Sequence, residues 1–305
     1  MLSKYKYHLL LHFIIFLWGF TGILGKLIHL EALYIVWYRV GIASLVIMIY
    51  LLFVKSSLTI NKKFFWRVSF VGLVVAAHWV TFYTSIQWST ASLGILCLST
   101  TTLHVAWLEP IIMKKRFSWL EFSLGLLVIG GIYFVSGDFS TKEYWAVFMG
   151  LLSAFLAGFF AVSNAKLVED IPSTHISMYE LAMGFVGLTI YLILSNQFDV
   201  SMFQLTMSDV FWLLFLAVIC TSFAFLVTID IVKRLGAFTV SLSINLEPVY
   251  TIILAIFILK EHEQLGPNFY IGSVLIIMVV IANGVIKNQQ KKRTCLLYTS
   301  PSPRD

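Results

Sequence analysis

The sequence predicts an all-α integral membrane protein: ten transmembrane helices, arranged as two inverted five-helix repeats, with a cytoplasmic N-terminus. Three observations lead to this fold class: a shortage of charged residues, ten apolar runs of membrane-spanning length, and an internal repeat. The chain has 305 residues, of which 59% are hydrophobic and 12% are charged, whereas soluble domains are about 25% charged. The shortage extends along the whole chain, so the net charge of +6 does not indicate a nucleic-acid partner.

The apolar runs give the number of helices. A bilayer core requires about 20 apolar residues per helix. The predicted spans are 8–28, 32–54, 65–87, 90–112, 118–136, 144–167, 174–195, 209–232, 237–260 and 267–286. Short connections join them, and none is long enough to hold a soluble domain.

The positive charges give the orientation. If the N-terminus is cytoplasmic, sixteen Lys and Arg residues fall on the cytoplasmic side and three (Lys26, Lys142 and Lys260) fall outside. Arg39 within a span and Arg304 near the C-terminus complete the total of 21. Cytoplasmic loops of membrane proteins are enriched in Lys and Arg. The bias therefore predicts a multi-pass protein of the cytoplasmic (inner) membrane with its N-terminus inside.

The internal repeat relates the two halves of the chain. "FLWGF" at 16–20 matches "FLAGF" at 155–159, and "IYLL" at 49–52 matches "IYLI" at 190–193. Five spans per half is an odd number, so the halves have opposite orientations in the membrane. Inverted repeats are typical of secondary transporters, whose substrate site lies near the midplane between the repeats.

The repeat also sets the domain boundaries. The first repeat is predicted to cover residues 1–137 and the second residues 138–294. The final stretch, "CLLYTSPSPRD" at 295–305, resembles the in-frame read-through of a transposase-based sequencing adapter. We therefore expect residues 295–305 not to be native.

Three spans carry recognisable motifs: "LWGFTGILGKL" in the first, "WYRVG" early in the second and "LSINLEPVYTIILAIFILKE" in the ninth. Together these motifs resemble the EamA family of the drug/metabolite transporter superfamily. The resemblance extends over residues 8–286. It implies two inverted five-helix repeats, the ATP-independent transport of small metabolites, often outward, and a cavity lined mainly by spans 1, 3, 4, 6, 8 and 9.

One feature departs from the family pattern and affects the predicted helix kinks. Family members often carry a proline in both the fourth and the ninth span. Pro248 occupies the ninth span, but the equivalent position of the fourth holds Thr101 and Thr102. A proline removes a backbone hydrogen bond, and a threonine hydroxyl can bend a helix by bonding to a carbonyl one turn back. We therefore predict kinks at all three residues.

Polar residues deep in the spans are the candidates for substrate binding or proton coupling, because intramembrane ionisable groups usually have a function. Glu247 lies near the middle of the ninth span with Asn245 two residues earlier, and together they can hold an ammonium group or a proton. His78, followed by Trp79, lies near the middle of the third span. The alternative for His78 is a buried histidine satisfied by a serine or threonine of a neighbouring helix.

Two further candidates are His104 in the inner part of the fourth span and Trp18 in the first span. The alternative for Trp18 is packing against lipid or the protein core. From the sequence we predict no catalytic residue, no metal ligand and no cofactor.

Arg39 and Glu180 occupy matching positions of the two repeats. Because the repeats are inverted, Arg39 is predicted in the outer half of the membrane and Glu180 in the inner half, which disfavours a direct ion pair. We predict that each residue anchors a gate on its own side by bonding to polar groups of neighbouring helices. Stapling of the helix bundle without a gating role is the alternative.

The function predicted from these observations is secondary transport of a small metabolite such as an amino acid, in the outward direction, by alternating access. The chain lacks GxxxxGK[ST], HExxH and GxSxG, so neither an ATP-driven pump nor a hydrolase is favoured. The predicted partners are the lipid bilayer, a small-molecule substrate and a coupled proton. The alternatives are a passive facilitator, a flippase of a lipid-linked substrate, a membrane-embedded lipid enzyme, and a non-transporting structural or receptor-like protein.

Overall fold

The computed structural model of the chain describes residues 2–114, 116–135, 140–235, 240 and 243–299, and all regular secondary structure in them is helical. The helices are α1 (Leu2–Leu27), α2 (Ala32–Phe53), α3 (Lys62–Trp88), α4 (Ala91–Leu98), α5 (Thr101–Met113), α6 (Trp119–Val135), α7 (Thr141–Leu167), α8 (Ser173–Leu194), α9 (Met207–Leu214), α10 (Ala224–Leu235), α11 (Glu247–Ile258) and α12 (Pro267–Thr299). A π-helical segment, Phe215–Phe223, joins α9 to α10. The boundary predicted at 137/138 and residues 300–305 of the tail lie outside the described residues.

Seven of the described helical segments have the length and apolar composition needed to cross a bilayer. They are Tyr5–Leu27, Ala32–Phe53, Lys62–Trp88, Ala91–Met113, Thr141–Leu167, Ser173–Leu194 and Met207–Leu235. Shorter apolar helices, Phe122–Tyr133, Glu247–Ile258 and Pro267–Asn283, lie in the predicted fifth, ninth and tenth spans. The chain is therefore an all-helical, multi-pass membrane protein.

The fourth and ninth spans are interrupted rather than continuous. The break in the fourth span falls at Ser99 and Thr100, between α4 and α5, and the break in the ninth falls at Asn245 and Leu246, directly before α11. Asn245 follows Ser99 by 146 residues, and Leu246 follows Thr100 by the same number. The described structure thus places the two interruptions at corresponding points of the two halves.

Different chemistry accompanies the two breaks. In the fourth span, the hydroxyls of Thr101 and Thr102 donate to the carbonyls of Leu98 at 2.6 Å and Ser99 at 3.2 Å. Such bonds compete with the helical backbone ladder. In the ninth span, Pro248 stands in the first turn of α11, where its missing N–H group is not needed. Pro248 therefore begins a helix instead of kinking the middle of one.

Helices α2 and α8 end in the same turn. Ser56 N donates to Leu51 O at 2.9 Å after α2, and Gln197 N donates to Leu192 O at 2.9 Å after α8. The residues before these donors, Lys55 and Asn196, have left-handed backbones with φ of 53° and 54°. This is the hydrogen-bonding pattern of a Schellman motif.

The packing of the helices brings the two halves together. Helix α3 packs along α7 and α8, α2 packs on α8 and the π-helical segment, and α1 packs on α10 and α11. Helices α5 and α4 pack on α7, and α6 packs on α12. Backbones approach closely where α3 meets α8, since a Cβ added to Gly72 would lie 2.4 Å from the carbonyl oxygen of Glu180. The core thus lies at the interface of the halves.

Candidate functional site

Arg39 of α2 lies at the centre of the bundle with 4% of its surface exposed. Its Nε donates to Thr221 Oγ1 of the π-helical segment at 3.0 Å, and its Nη1 donates to the Tyr83 hydroxyl of α3 at 3.2 Å. The guanidinium carbon lies 3.7 Å from the ring centroid of Trp79, which is a cation–π arrangement. The partners of this buried cation are thus two neutral hydroxyls and an aromatic ring.

The π-helical segment explains why Thr221 faces Arg39. The Thr221 hydroxyl donates to the carbonyl of Leu216, five residues earlier, at 2.8 Å, and Ser222 bonds to Ala217 at 2.9 Å in the same way. A π-helical turn holds one more residue than an α-helical turn and is frequent at functional sites. The Thr221 hydroxyl thus donates to Leu216 and accepts from Arg39 at the same time.

Glu247 is the carboxylate that interacts electrostatically with Arg39. The two side chains interact electrostatically, yet within the described chain they are not in ion-pair contact. Glu247 is half-buried in the first turn of α11, and Asn245 lies half-buried in the turn before it. A helix N-terminus stabilises negative charge, so this position suits a carboxylate. A buried cation and a carboxylate thus lie near enough to interact without an ion-pair contact within the described chain.

His78 has the serine partner that its structural alternative requires. Its Nδ1 lies 2.8 Å from Ser153 Oγ and 3.0 Å from the Ser153 carbonyl oxygen, both on α7. A carbonyl oxygen accepts, so the second contact places a hydrogen on Nδ1. The ring also stacks on Phe82 with centroids 6.3 Å apart. His78 thus links α3 to α7, and its role in binding or coupling stays a prediction.

His104 and Trp18 lie elsewhere in the bundle, half-buried. His104 of α5 packs edge-on against Phe155 of α7 at 5.6 Å, and Trp18 of α1 packs edge-on against Phe225 at 6.5 Å. His104 Nδ1 and Trp18 Nε1 are buried without a hydrogen-bond partner among the described residues. Both rings are positioned by aromatic packing while a polar nitrogen remains available.

Glu180 of α8 is buried apart from Arg39. It is 5% exposed, and its Oε2 accepts from the Asn164 amide of α7 at 3.1 Å. Among the described residues, Glu180 forms no ion pair with Arg39. Each of the two repeat-related residues instead bonds to neighbouring helices.

The structure thus brings together Arg39, Trp79 and Glu247, with His78 beside Trp79, whereas His104, Trp18 and Glu180 stand apart. Sequence reasoning did not select four of the partners, namely Tyr83, Ser153, Asn164 and Thr221. Asn164 carried a signal that could have been used, because it is an amide inside an apolar run. The hydroxyl residues carried no such signal, since serine and threonine occur throughout the spans.

A groove of about 480 Å³ lies between α2 and α8. Its lining is almost wholly apolar and includes Trp37, Met48, Met178 and Phe185. None of the predicted site residues lines it. In the described part of the chain, no group of three His, Cys, Asp or Glu side chains is placed to hold a metal ion.

Comparison with known proteins adds a family to this geometry. The model of the EamA-like transporter family matches residues 6–137 and, a second time, residues 144–284. A protein of Archaeoglobus fulgidus described as an uncharacterized transporter is 23% identical over 284 residues, which cover 89% of this chain and 95% of the relative.

A solved crystal structure shares the fold. It superposes with a TM-score of 0.64 at 15% sequence identity, and the match covers 92% of this chain and 97% of the other. At this identity the likeness concerns the fold alone.

Proposed function

Since this chain belongs to the EamA-like transporter family, we propose that it is a secondary transporter that exports a small metabolite such as an amino acid across the cytoplasmic membrane. Its mechanism is alternating access, in which one five-helix repeat moves against the other. The family assignment and the membrane-spanning helices support a transporter. The finer statements rest on the arrangement of the helices and on the charges at the centre.

The observation that carries the proposal is that the helix contacts between the two halves keep the same pattern when the halves are exchanged. Helix α3 packs on α7, and its counterpart in the second half, the segment from α9 to α10, packs on α1. Helix α5 packs on α7 as α11 packs on α1, and the pairs α2–α8 and α6–α12 map onto themselves. Two structurally equivalent halves can exchange their conformations, which opens the centre to each face in turn.

The centre fits a zwitterion. Arg39 can bind a carboxylate, because a guanidinium donates two parallel hydrogen bonds to it. Glu247, with Asn245 nearby, can bind an ammonium group. The two charged side chains interact with each other without forming an ion pair within the described chain. An α-amino acid carries both complementary charges on adjacent atoms, which supports an amino acid as the substrate class.

One observation favours a second candidate, a flippase of a lipid-linked substrate. The groove between α2 and α8 is apolar and large enough for an acyl or prenyl chain. The polar headgroup of such a substrate would then move past Arg39 and Glu247, while its acyl or prenyl chain stays in the lipid. A passive facilitator would use the same path without coupling.

The decisive experiment combines a screen with reconstitution. Residues 1–294 are expressed in a bacterium, and extracellular metabolites are compared with those of cells expressing Trp66→Phe, a change at a side chain 74% exposed on α3, and of empty-vector cells. We expect both protein-expressing strains to release the same amino acid.

Purified protein in liposomes then measures counterflow of that amino acid and its accumulation under an imposed pH gradient. Counterflow with accumulation supports a coupled transporter, whereas equilibration without accumulation supports the facilitator. Release and counterflow at the empty-vector level, with folded protein present, would refute transport of small metabolites. Movement of a lipid-linked compound instead would favour the flippase.

A further inference from the structure

Glu180 and Asn164 leave two oxygen atoms unexplained. The Asn164 amide donates to Glu180 Oε2 at 3.1 Å. The other carboxyl oxygen, Glu180 Oε1, and the amide oxygen, Asn164 Oδ1, are both buried and have no hydrogen-bond partner among the described residues. The two orphaned atoms thus belong to one pair of side chains that already touch.

Hydrogen-bond accounting shows what the pair lacks. An ionised carboxylate and an amide oxygen are both acceptors only, so neither can satisfy the other. A buried acceptor left without a partner is destabilising, and more so when it is charged. A single hydrogen on Oε1 would satisfy both atoms, because a carboxylic acid and a primary amide can form two parallel hydrogen bonds.

The cationic side chains of the surrounding helices do not supply a hydrogen-bond donor to Glu180 Oε1, because they bond to other groups. On α2, Arg39 bonds to Thr221 and Tyr83, and on α3, His78 bonds to Ser153. On α7, Lys166 is exposed and donates to the Ile112 carbonyl at 3.2 Å.

The remaining ionisable residues near this level are exposed or bonded elsewhere. Arg67 of α3 and Asp230 of α10 are exposed, and His175 of α8 itself bonds to Ser57 O at 2.6 Å. Within the described chain, the one polar interaction of the Glu180 carboxyl is with Asn164. An isolated carboxylate in an apolar interior is neutralised rather than left charged.

We propose that Glu180 and Asn164 form a proton-binding site, in which a protonated Glu180 donates from Oε1 to Asn164 Oδ1 and accepts at Oε2 from the amide. This site deepens the transport proposal and rests on it, because it names the ion that the transporter couples. It assigns the coupling to a residue of α8 rather than to Glu247 or His78.

The chemistry of the step is a simple proton transfer. The O–H bond of Glu180 breaks, its electrons stay on Oε1, and the proton passes to water. Oε1 and Oδ1 are then two acceptors that face each other and repel, and a charge is left in an apolar environment. Loss of the proton therefore favours a conformation in which α7 and α8 separate or water enters between them. Proton occupancy is thereby coupled to helix movement.

The position of Glu180 indicates the side from which the proton exchanges. Glu180 lies seven residues after Ser173 and fourteen before Leu194, so it is roughly 10 Å from one end of α8 and roughly 21 Å from the other at the helical rise. On the side of α3 the backbones of Gly72 and Glu180 pack closely, since a Cβ added to Gly72 would lie 2.4 Å from Glu180 O. The short route leads to the Ser173 end, which the charge bias predicts to be cytoplasmic.

Infrared spectroscopy tests the site without any substrate. A protonated carboxyl has a C=O stretching band separate from that of a carboxylate. In the difference spectrum between the wild-type protein and Glu180→Gln in detergent at neutral pH, we expect loss of one protonated-carboxyl band. A difference spectrum with a lost carboxylate band instead would overturn the proposal. Because glutamine reproduces both hydrogen bonds of the protonated acid, the unfolding midpoint should be unchanged, whereas Glu180→Met should lower it.

Transport in liposomes tests the coupling. Glu180→Gln mimics the permanently protonated state, so we expect it to keep counterflow and to lose accumulation driven by a pH gradient. Glu180→Gln that accumulates substrate as wild type does would overturn the coupling role. The two experiments separate the failures, because the infrared band reports on the proton site even if the wild-type protein moves no metabolite.

Discussion

Arg39 has an unusual set of partners for a buried cation. Its guanidinium carbon lies 3.7 Å from the Trp79 ring centroid, and the group donates to the hydroxyls of Tyr83 and Thr221. A buried charge without a paired counter-ion is destabilising, and these partners are neutral. Since Glu247 makes no ion-pair contact with it, we expect Arg39 to reduce stability, as a residue retained for binding an anion would and a helix staple would not.

Arg39→Met separates these two roles. We expect this variant to unfold at the same temperature as wild type or higher, because it removes an unpaired buried charge, and to lose transport. Thr221 stays satisfied because its hydroxyl also donates to Leu216 O at 2.8 Å. Thermal unfolding in detergent and counterflow in liposomes are the measurements.

Arg39→Lys is the matched control for charge. It keeps the positive charge but loses the flat face and the forked donors. We expect at least about a tenfold loss of transport, since a hydrogen bond to a charged group contributes about 1.5–3 kcal/mol. A large fall in the unfolding temperature of Arg39→Met, with normal transport by Arg39→Lys, would favour the staple.

At the residue scale, the sequence predicted single residues better than their partners. Arg39, Glu180 and Glu247 were selected because a charge inside an apolar run is visible in one dimension. Their partners depend on how each helix is rotated about its axis, which the run of apolar residues does not encode. Asn164 and Glu180, for example, lie 16 residues apart on successive helices, and only packing shows that they touch.

At the scale of elements, the close contact between α3 and α8 depends on a residue without a side chain. Gly72 is buried, and a Cβ added to it would lie 2.4 Å from Glu180 O and 2.8 Å from Glu180 Cα. Backbone atoms cannot move aside as the end of a flexible side chain can. The distance between these two helices is therefore set by glycine.

Gly72→Ala tests this contact. We expect it to lower the free energy of unfolding by about 1–3 kcal/mol, the usual cost of inserting a group into a well-packed core. The control is Gly130→Ala on α6, where a Cβ meets nothing within 4 Å and where the helix gains up to about 1 kcal/mol in propensity. Equal stability of the two variants in thermal unfolding would contradict the packing argument.

The sequence predicted the positions of the helices better than the breaks and the π-helical segment within them. The ten apolar runs correspond to seven long helical segments and three shorter apolar helices of the described chain. The break before Pro248 has a proline as its signal, whereas the break at Ser99–Thr100 has only the neighbouring Thr101 and Thr102, where the sequence predicts a kink. The π-helical segment "FLAVICTSF" contains neither proline nor glycine. Two hydroxyl groups in it bond to carbonyls five residues back, and the sequence does not distinguish these from hydroxyls that bond four residues back.

At the scale of the whole molecule, the matching turns after α2 and α8 give a direct test of inversion. Lys55 and Asn196 occupy the same left-handed position in the two halves, and both are exposed. If the repeats are inverted, these equivalent residues lie on opposite faces of the membrane.

Lys55→Cys and Asn196→Cys measure the orientation. The background protein lacks Cys295, and its other cysteines, Cys97 and Cys220, are buried. With an impermeant maleimide on intact cells, we expect labelling of Asn196→Cys alone, and of Lys55→Cys only after permeabilisation. Labelling of both variants from one face would rule out the inverted arrangement.

The break in the fourth span also has a consequence for biosynthesis. Helix α4 has 8 residues, which rise about 12 Å against a hydrocarbon core of about 30 Å. Such a piece is too short to enter a bilayer alone, since a free helix end in lipid leaves backbone groups unsatisfied. We therefore expect the translocon to insert Ala91–Met113 as one segment, whose two helices, α4 and α5, then both pack on the later-synthesised α7.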